Sequence, residues 1–244
     1  MARTGLAFDV GQYEEGSLRR PWNTHYRAVP RNLSLLSESV WRAKLEAGGY
    51  DVIIAQNEMN AINVVRARGA KLLVCHNRRT FLNTTVTVDQ GAPIPTFDRL
   101  LEILPEHFEF IFISESKRAD YGIPGRVIRP GVDVEELGGY IGGERCIIRV
   151  GNTMRQRNLM FDVGLQEEVC RDLPNRVIGD NPEIPGSVAA PSYEALLECY
   201  HRNRCMLHVS RDAYEDGYNL AMLEAMGDRK STRLNSSHRL TSRM

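Results

Sequence analysis

The sequence predicts an α/β protein built on parallel sheets with helices packed over them, and three observations carry that expectation. Short apolar runs of strand length recur along the chain, and helical 3–4 spacing fills the stretches between them. One Pro/Gly-rich segment divides the alternation into two sets. At 244 residues the chain is long enough for two domains.

Six runs are the expected strands: Tyr50–Asn57, Lys71–Arg78, Phe108–Ser116, Arg145–Asn152, Asn175–Asn181 and Arg204–Arg211. Each is rich in Val, Ile, Leu or Phe and short, as a strand buried on both faces must be. The helical patterns are Leu36–Gly48, with Ser37 placed to cap and Gly48 to stop it, then Phe161–Leu173 and Ser192–Asn203. Arg129–Glu144 contains RPGVD and GGYIGG and is the expected domain boundary, giving domains 1–136 and 137–227. Those glycines do not form a dinucleotide fingerprint, because they precede a strand instead of following one.

Composition narrows the function classes. Lys plus Arg equals Asp plus Glu at 31 each, so no global field favours nucleic acid. The five cysteines are too widely spaced for a zinc or redox motif and are expected to be reduced, in a cytoplasmic protein. The N-terminal stretch has no secretory pattern, and no run approaches the ~20 apolar residues of a membrane span.

Ligands of open parallel sheets bind beyond the carboxyl ends of the strands, so the residues that follow each run are the candidates. These are His76-Asn77-Arg78-Arg79, then Gly151-Asn152 with Arg155 and Arg157, then Gly179-Asp180-Asn181. The last is SRDAYEDGYN, leading into a helix that carries Glu224. Gly217, Tyr218 and Asn219 stand just before that helix, where free backbone N–H groups can hold a phosphate. Guanidinium groups neutralise a diphosphate, and carboxylates accept hydrogen bonds from sugar hydroxyls. Cations, amides and acids together therefore fit a sugar nucleotide. His201, His208 and Asp180 carry no comparable signal, and Tyr214, Tyr218, Met222 and Met226 read as packing residues.

EDGYNLAMLEAM resembles the acid–seven–acid signature of the family 4 (group 1) retaining glycosyltransferases, with Asp216 where that family usually has Glu and Glu224 as the second acid. Phe112–Asp133 is similar to the family's stretch that closes the first domain, and Val150–Asn158 to its phosphate-binding strand end. In that register Asn152 stands at the usual arginine and Arg157 at the usual lysine. The resemblance covers about Ile53 to Met226; the first fifty residues match nothing in the family pattern. It implies a GT-B fold of two Rossmann-like domains, the second incomplete, and an enzyme that moves a sugar from a nucleotide-sugar donor with retention and without metal or other cofactor. Glu224 would hold the ribose, Asp216 the donor sugar, and Gly217, Tyr218 and Asn219 would offer amides. Arg157 would stabilise the departing diphosphate, with Arg155 in place of the arginine missing at Asn152. His76 would face the reacting sugar. The acceptor would be a sugar, a lipid-linked compound or a small molecule, and a peripheral membrane contact is compatible with it. A sugar-nucleotide epimerase or hydrolase on the same scaffold, or a non-catalytic sugar-nucleotide-binding protein, stays open as an alternative.

From Asp228 the apolar rhythm stops. Read back into codons, DRKSTRLNSSH (Asp228–His238) matches the start of a common sequencing adapter, so 228–244 is expected to be a non-native tail. A basic tail that binds polyanions is the competing reading. The chain would then lack the elements that complete the second domain, and is expected to be marginally stable and impaired in activity.

Overall fold

The computed structural model describes residues 5–14, 21–24, 26–89, 97–215 and 219–228. The structure is mixed α/β with parallel sheets. By its contacts the chain divides between Val127 and Ile128 into two compact units, ahead of the Pro/Gly-rich segment 129–144.

The first unit runs β1 (Phe8–Gly11), β2 (Leu33–Leu36), α1 (Glu38–Glu46), β3 (Val52–Ala55), α2 (Glu58–Val64), β4 (Ala70–Cys75), α3 (Arg79–Asp89), α4 (Phe97–His107), β5 (Glu109–Phe112), α5 (Glu115–Tyr121) and β6 (Arg126–Val127). Strands β3-β4-β5-β6 form one parallel sheet in chain order, and β1 and β2 form a separate parallel pair. The first three apolar runs thus become β3, β4 and β5. Leu73, Cys75, Phe110 and Phe112 from β4 and β5 are buried with Ala55, Leu104 and Tyr121. Full burial of a Leu or Phe side chain stabilises by about 1.5–3 kcal/mol, which is why these runs dictate where the sheet lies. Strands β1, β2 and β6 have weaker apolar patterns and were not expected.

Local chemistry sets the helix starts. The Asn57 Oδ1 accepts from the Asn60 N–H at 2.8 Å to open α2, and the Ser114 hydroxyl accepts from Lys117 N–H at 3.1 Å to open α5. Gly122, at φ +68°, ends α5 in the left-handed conformation. Ser37 occupies the capping position of α1, but its hydroxyl contacts Ser39 instead of the helix N–H groups. Gly48 lies just past that helix, at φ +72°.

The second unit runs α6 (Val134–Leu137), β7 (Glu144–Val150), α7 (Asn158–Phe161), α8 (Val163–Cys170), β8 (Asn175–Ile178), α9 (Tyr193–Arg202), β9 (Asn203–Met206) and α10 (Leu220–Asp228). Its parallel sheet has the order β8-β7-β9, with an irregularity between Glu144 and Ile147 against β9. The segment 129–144 is therefore more than a connection, since it contains α6, which packs against α10. Gly227 lets the two helices approach: a Cβ there would stand 2.8 Å from Leu137 Cδ1. Helix α10 continues through Asp228, the first residue of the expected tail, and Asp228 is buried with its Oδ1 3.1 Å from His201 Nε2. Residues 229–244 lie outside the described residues. Among the described residues no helix is long and apolar enough to cross a membrane.

Candidate functional site

In the second unit the carboxyl ends of β7 and β8 are tied together by backbone and amide contacts. Gly179 has φ +145°, and a Cβ there would fall 2.0 Å from the Gly151 carbonyl oxygen, so only glycine permits this approach. Asn152 Oδ1 accepts from Asp180 N–H at 2.8 Å. The buried Asn181 accepts from Met154 N–H at 2.8 Å, and its Nδ2 donates to Gly151 O at 2.8 Å and to the Ser187 hydroxyl at 3.0 Å. Thr153 takes φ +50°, an uncommon conformation for a residue other than glycine. Asn152 therefore spends its side-chain oxygen joining two loops.

Those ties shape the loop that carries the two arginines, which have different surroundings. Arg155 forms a 2.6 Å ion pair with Glu167 on α8. Arg157 lies with its guanidinium carbon 4.9 Å from the centre of the Phe161 ring. It keeps an open face, yet crowding by protein atoms holds its pKa below the ordinary arginine value, and the charge of the buried Glu215 opposes that fall. A guanidinium so placed stays charged and is less hydrated than one in open water. Arg211 grips Asp162 through Nε and Nη2, both at 3.1 Å, and its hydrogen bond, then its charge, lowers the Asp162 carboxyl pKa. Asp162 joins α7 to α8 at φ +43°. Glu215 N–H donates to Arg211 O at 2.9 Å, so this pair anchors the segment that brings Glu215 to Arg157. The ring of His208, after β9, lies edge-on to Phe161 at 6.3 Å, and burial lowers its pKa.

Helix α10 opens on Asn219, whose Oδ1 accepts from Ala221 N–H at 2.9 Å. The half-buried Glu224 accepts a hydrogen bond from the Tyr193 hydroxyl at 3.3 Å. Asp216, Gly217 and Tyr218 lie outside the described residues.

The first unit gathers a second set of groups at its sheet edge. His76 follows β4, and its Nε2 is 3.0 Å from Gln56 Oε1 after β3. Part of the ring is open to solvent, but surrounding protein and then the charge of Lys117 hold its pKa below the ordinary value. Lys117 on α5 is wholly buried. Tyr121 donates to the buried Glu58 at 2.8 Å. Burial raises the Glu58 carboxyl, moderated by hydrogen bonds, and raises the Cys75 thiol and Tyr121 hydroxyl as well. Arg79 donates to Asp98 at 2.9 and 2.5 Å and to Tyr121 O at 3.1 Å.

Of the residues singled out by sequence, Arg157, Asn219 and Glu224 follow strands of the second sheet, while Asn152 and Arg155 are engaged in internal contacts. Asn181 and Arg211 lay in the candidate stretches without a role assigned to them, and Glu58, Lys117, Tyr121 and Asp162 were not singled out. The only signal of Glu58, Lys117 and Tyr121 was position, within a few residues after an expected strand. Among the described residues no group of three or more His, Cys, Asp and Glu side chains is arranged to hold a metal ion. No family model and no curated protein matches the chain.

Proposed function

We propose that the chain is part of a cytoplasmic, retaining glycosyltransferase of GT-B type, with a nucleotide sugar as donor and a hydroxyl-bearing sugar, lipid-linked compound or small molecule as acceptor. The observation that carries the reading is Arg157: a guanidinium on the loop after β7, laid over Phe161 and within reach of the Glu215 charge. Charge that develops on a departing diphosphate is stabilised by a cation held in place beforehand, as stacking on Phe161 holds this one. Such a cation does the work a metal does elsewhere, and no cofactor enters the scheme. Asn219 caps, and Glu224 lies on, α10, the helix that follows β9, where N–H groups suit phosphate and a carboxylate suits the ribose hydroxyls. On the family resemblance, Asp216 with Gly217 and Tyr218 would contact the donor sugar, and His76 would serve the reacting sugar.

Binding of UDP- and GDP-sugars to the native chain, Arg157→Ala and Glu224→Ala tests this by calorimetry. Loss of donor affinity in both variants is expected, and unchanged affinity in both removes the assignment. A second reading, binding without catalysis, draws support from Asn152 and Arg155, whose internal partners leave fewer groups for a diphosphate. Product analysis with and without acceptor separates the two.

A further inference from the structure

We propose that Gln56 is a positioning residue: its side-chain oxygen accepts the Nε2 proton of His76, fixing the Nε2–H tautomer and leaving the Nδ1 lone pair as an open acceptor for a ligand hydroxyl. An amide oxygen can only accept, so the 3.0 Å approach of Gln56 Oε1 points to a proton on His76 Nε2. Among the described residues Nδ1 has no hydrogen-bond partner. The backbone of Gln56 is fixed on both sides, by the end of β3 at Ala55 and by the Asn57 cap of α2.

The charges around the ring favour the same state. Lys117 on α5 places a buried cation near it and opposes a second proton. Glu58 on α2, the nearest acid along that element, is turned to Tyr121 and stands above its ordinary carboxyl value because it is buried. Cys75 is pushed up by burial and is neutral. Arg79 is committed to Asp98 and the Tyr121 carbonyl, and Arg78 adds a further cation two residues from the ring. Every charge accounted for here leaves the imidazole neutral. A neutral ring with an open lone pair accepts from O–H groups and repels carboxylate and phosphate oxygens. His76 therefore selects a hydroxyl-bearing part of a ligand over an anionic one. The identity of that ligand as a sugar rests on the glycosyltransferase reading, but the role of Gln56 does not.

The test is long-range ¹H–¹⁵N correlation of the histidine rings in the full ¹⁵N-labelled chain, titrated from pH 4.5 to 8. Native protein should show His76 as the Nε2–H tautomer, with a midpoint below the ordinary value of 6.5. Gln56→Ala, at an exposed position, should mix the two tautomers. Gln56→Glu should restore the Nε2–H form and move the midpoint up by about 1 pH unit, since it sets an anion against that proton. A native Nδ1–H tautomer, or a tautomer ratio unchanged in Gln56→Ala, overturns the inference whatever the chain binds. The expected spectra uphold it even where neither UDP-glucose nor GDP-mannose binds, in which case the glycosyltransferase reading alone falls.

Discussion

Replacing Tyr121 by Phe removes one buried hydroxyl and gives a magnitude that can be worked from the structure. The ring is wholly buried and packs against Phe112 at 5.2 Å and 62°, contacts that phenylalanine retains. What goes is the hydroxyl that donates to Glu58 Oε1 at 2.8 Å and also meets the Cys75 thiol. Glu58 is 8% exposed, so water cannot readily replace the lost donor. Leaving such a group short of a partner costs about 1–3 kcal/mol. For a chain of this size that lowers Tm by roughly 2–12 °C. The pH dependence has a definite sign. Burial raises the Glu58 carboxyl above its ordinary 4.5, so its contribution to stability is complete below pH 4.5 and is lost as pH climbs through the folded value. The Tyr121 hydroxyl favours the ionised form, and deleting it pushes that carboxyl further up. Tyr121→Phe should therefore lose more stability at pH 8 than at pH 5. Urea unfolding followed by circular dichroism at both pH values measures the difference. Glu58→Gln is the companion variant: it cannot ionise, still offers Tyr121 an oxygen, and should flatten the pH dependence. A Tyr121→Phe protein with the native urea midpoint at both pH values, or one damaged more at pH 5, refutes the reasoning.

Three other outcomes are expected. Gly179→Ala should cost on the order of 3–5 kcal/mol, because its Cβ would collide with Gly151 O and Asn152 Oδ1 at 2.0 and 2.8 Å; limited proteolysis should then cut preferentially within 128–228, and native resistance would contradict this. Asn181→Ala removes three hydrogen bonds, two of them between loops, and should destabilise by about 1–3 kcal/mol while loosening the Arg157 loop; a thermal melt equal to native would show that the ties carry no weight. Thiol alkylation timed by mass spectrometry at pH 8 should reach Cys199 and Cys205 before Cys75, Cys146 and Cys170, which are buried with raised pKa values; rapid labelling of Cys75 would be inconsistent with the fold.

The alternation of apolar runs with helical spacing was legible because a strand buried on both faces needs uninterrupted Val, Ile, Leu and Phe. Such runs survive as β3, β4, β5, β7, β8 and β9, each shorter than its apolar stretch at one or both ends, although β3 leaves Val52 and Ile54 exposed on one face. The two-residue β6 and the β1–β2 pair escaped notice because their stability comes from neighbours and not from their own composition. Helix α10 shows the opposite limit. Composition places its end at Gly227, yet Asp228 turns inward to His201, which lies 27 residues earlier in sequence.

By itself, then, the sequence determined the parallel α/β class, the six strands with the strongest apolar runs, and which strand ends carry polar groups, since hydrophobic periodicity and turn chemistry are local properties. Tertiary structure alone decided what each polar group does. It committed Arg155 to Glu167 and Asn152 to the Asp180 amide, and it left Arg157 against Phe161. It also joined Glu58 to Tyr121 and His76 to Gln56. Hydrogen bonds and ion pairs form between groups brought within about 3 Å by the packing of sheets and helices, and no spacing along the chain encodes that proximity.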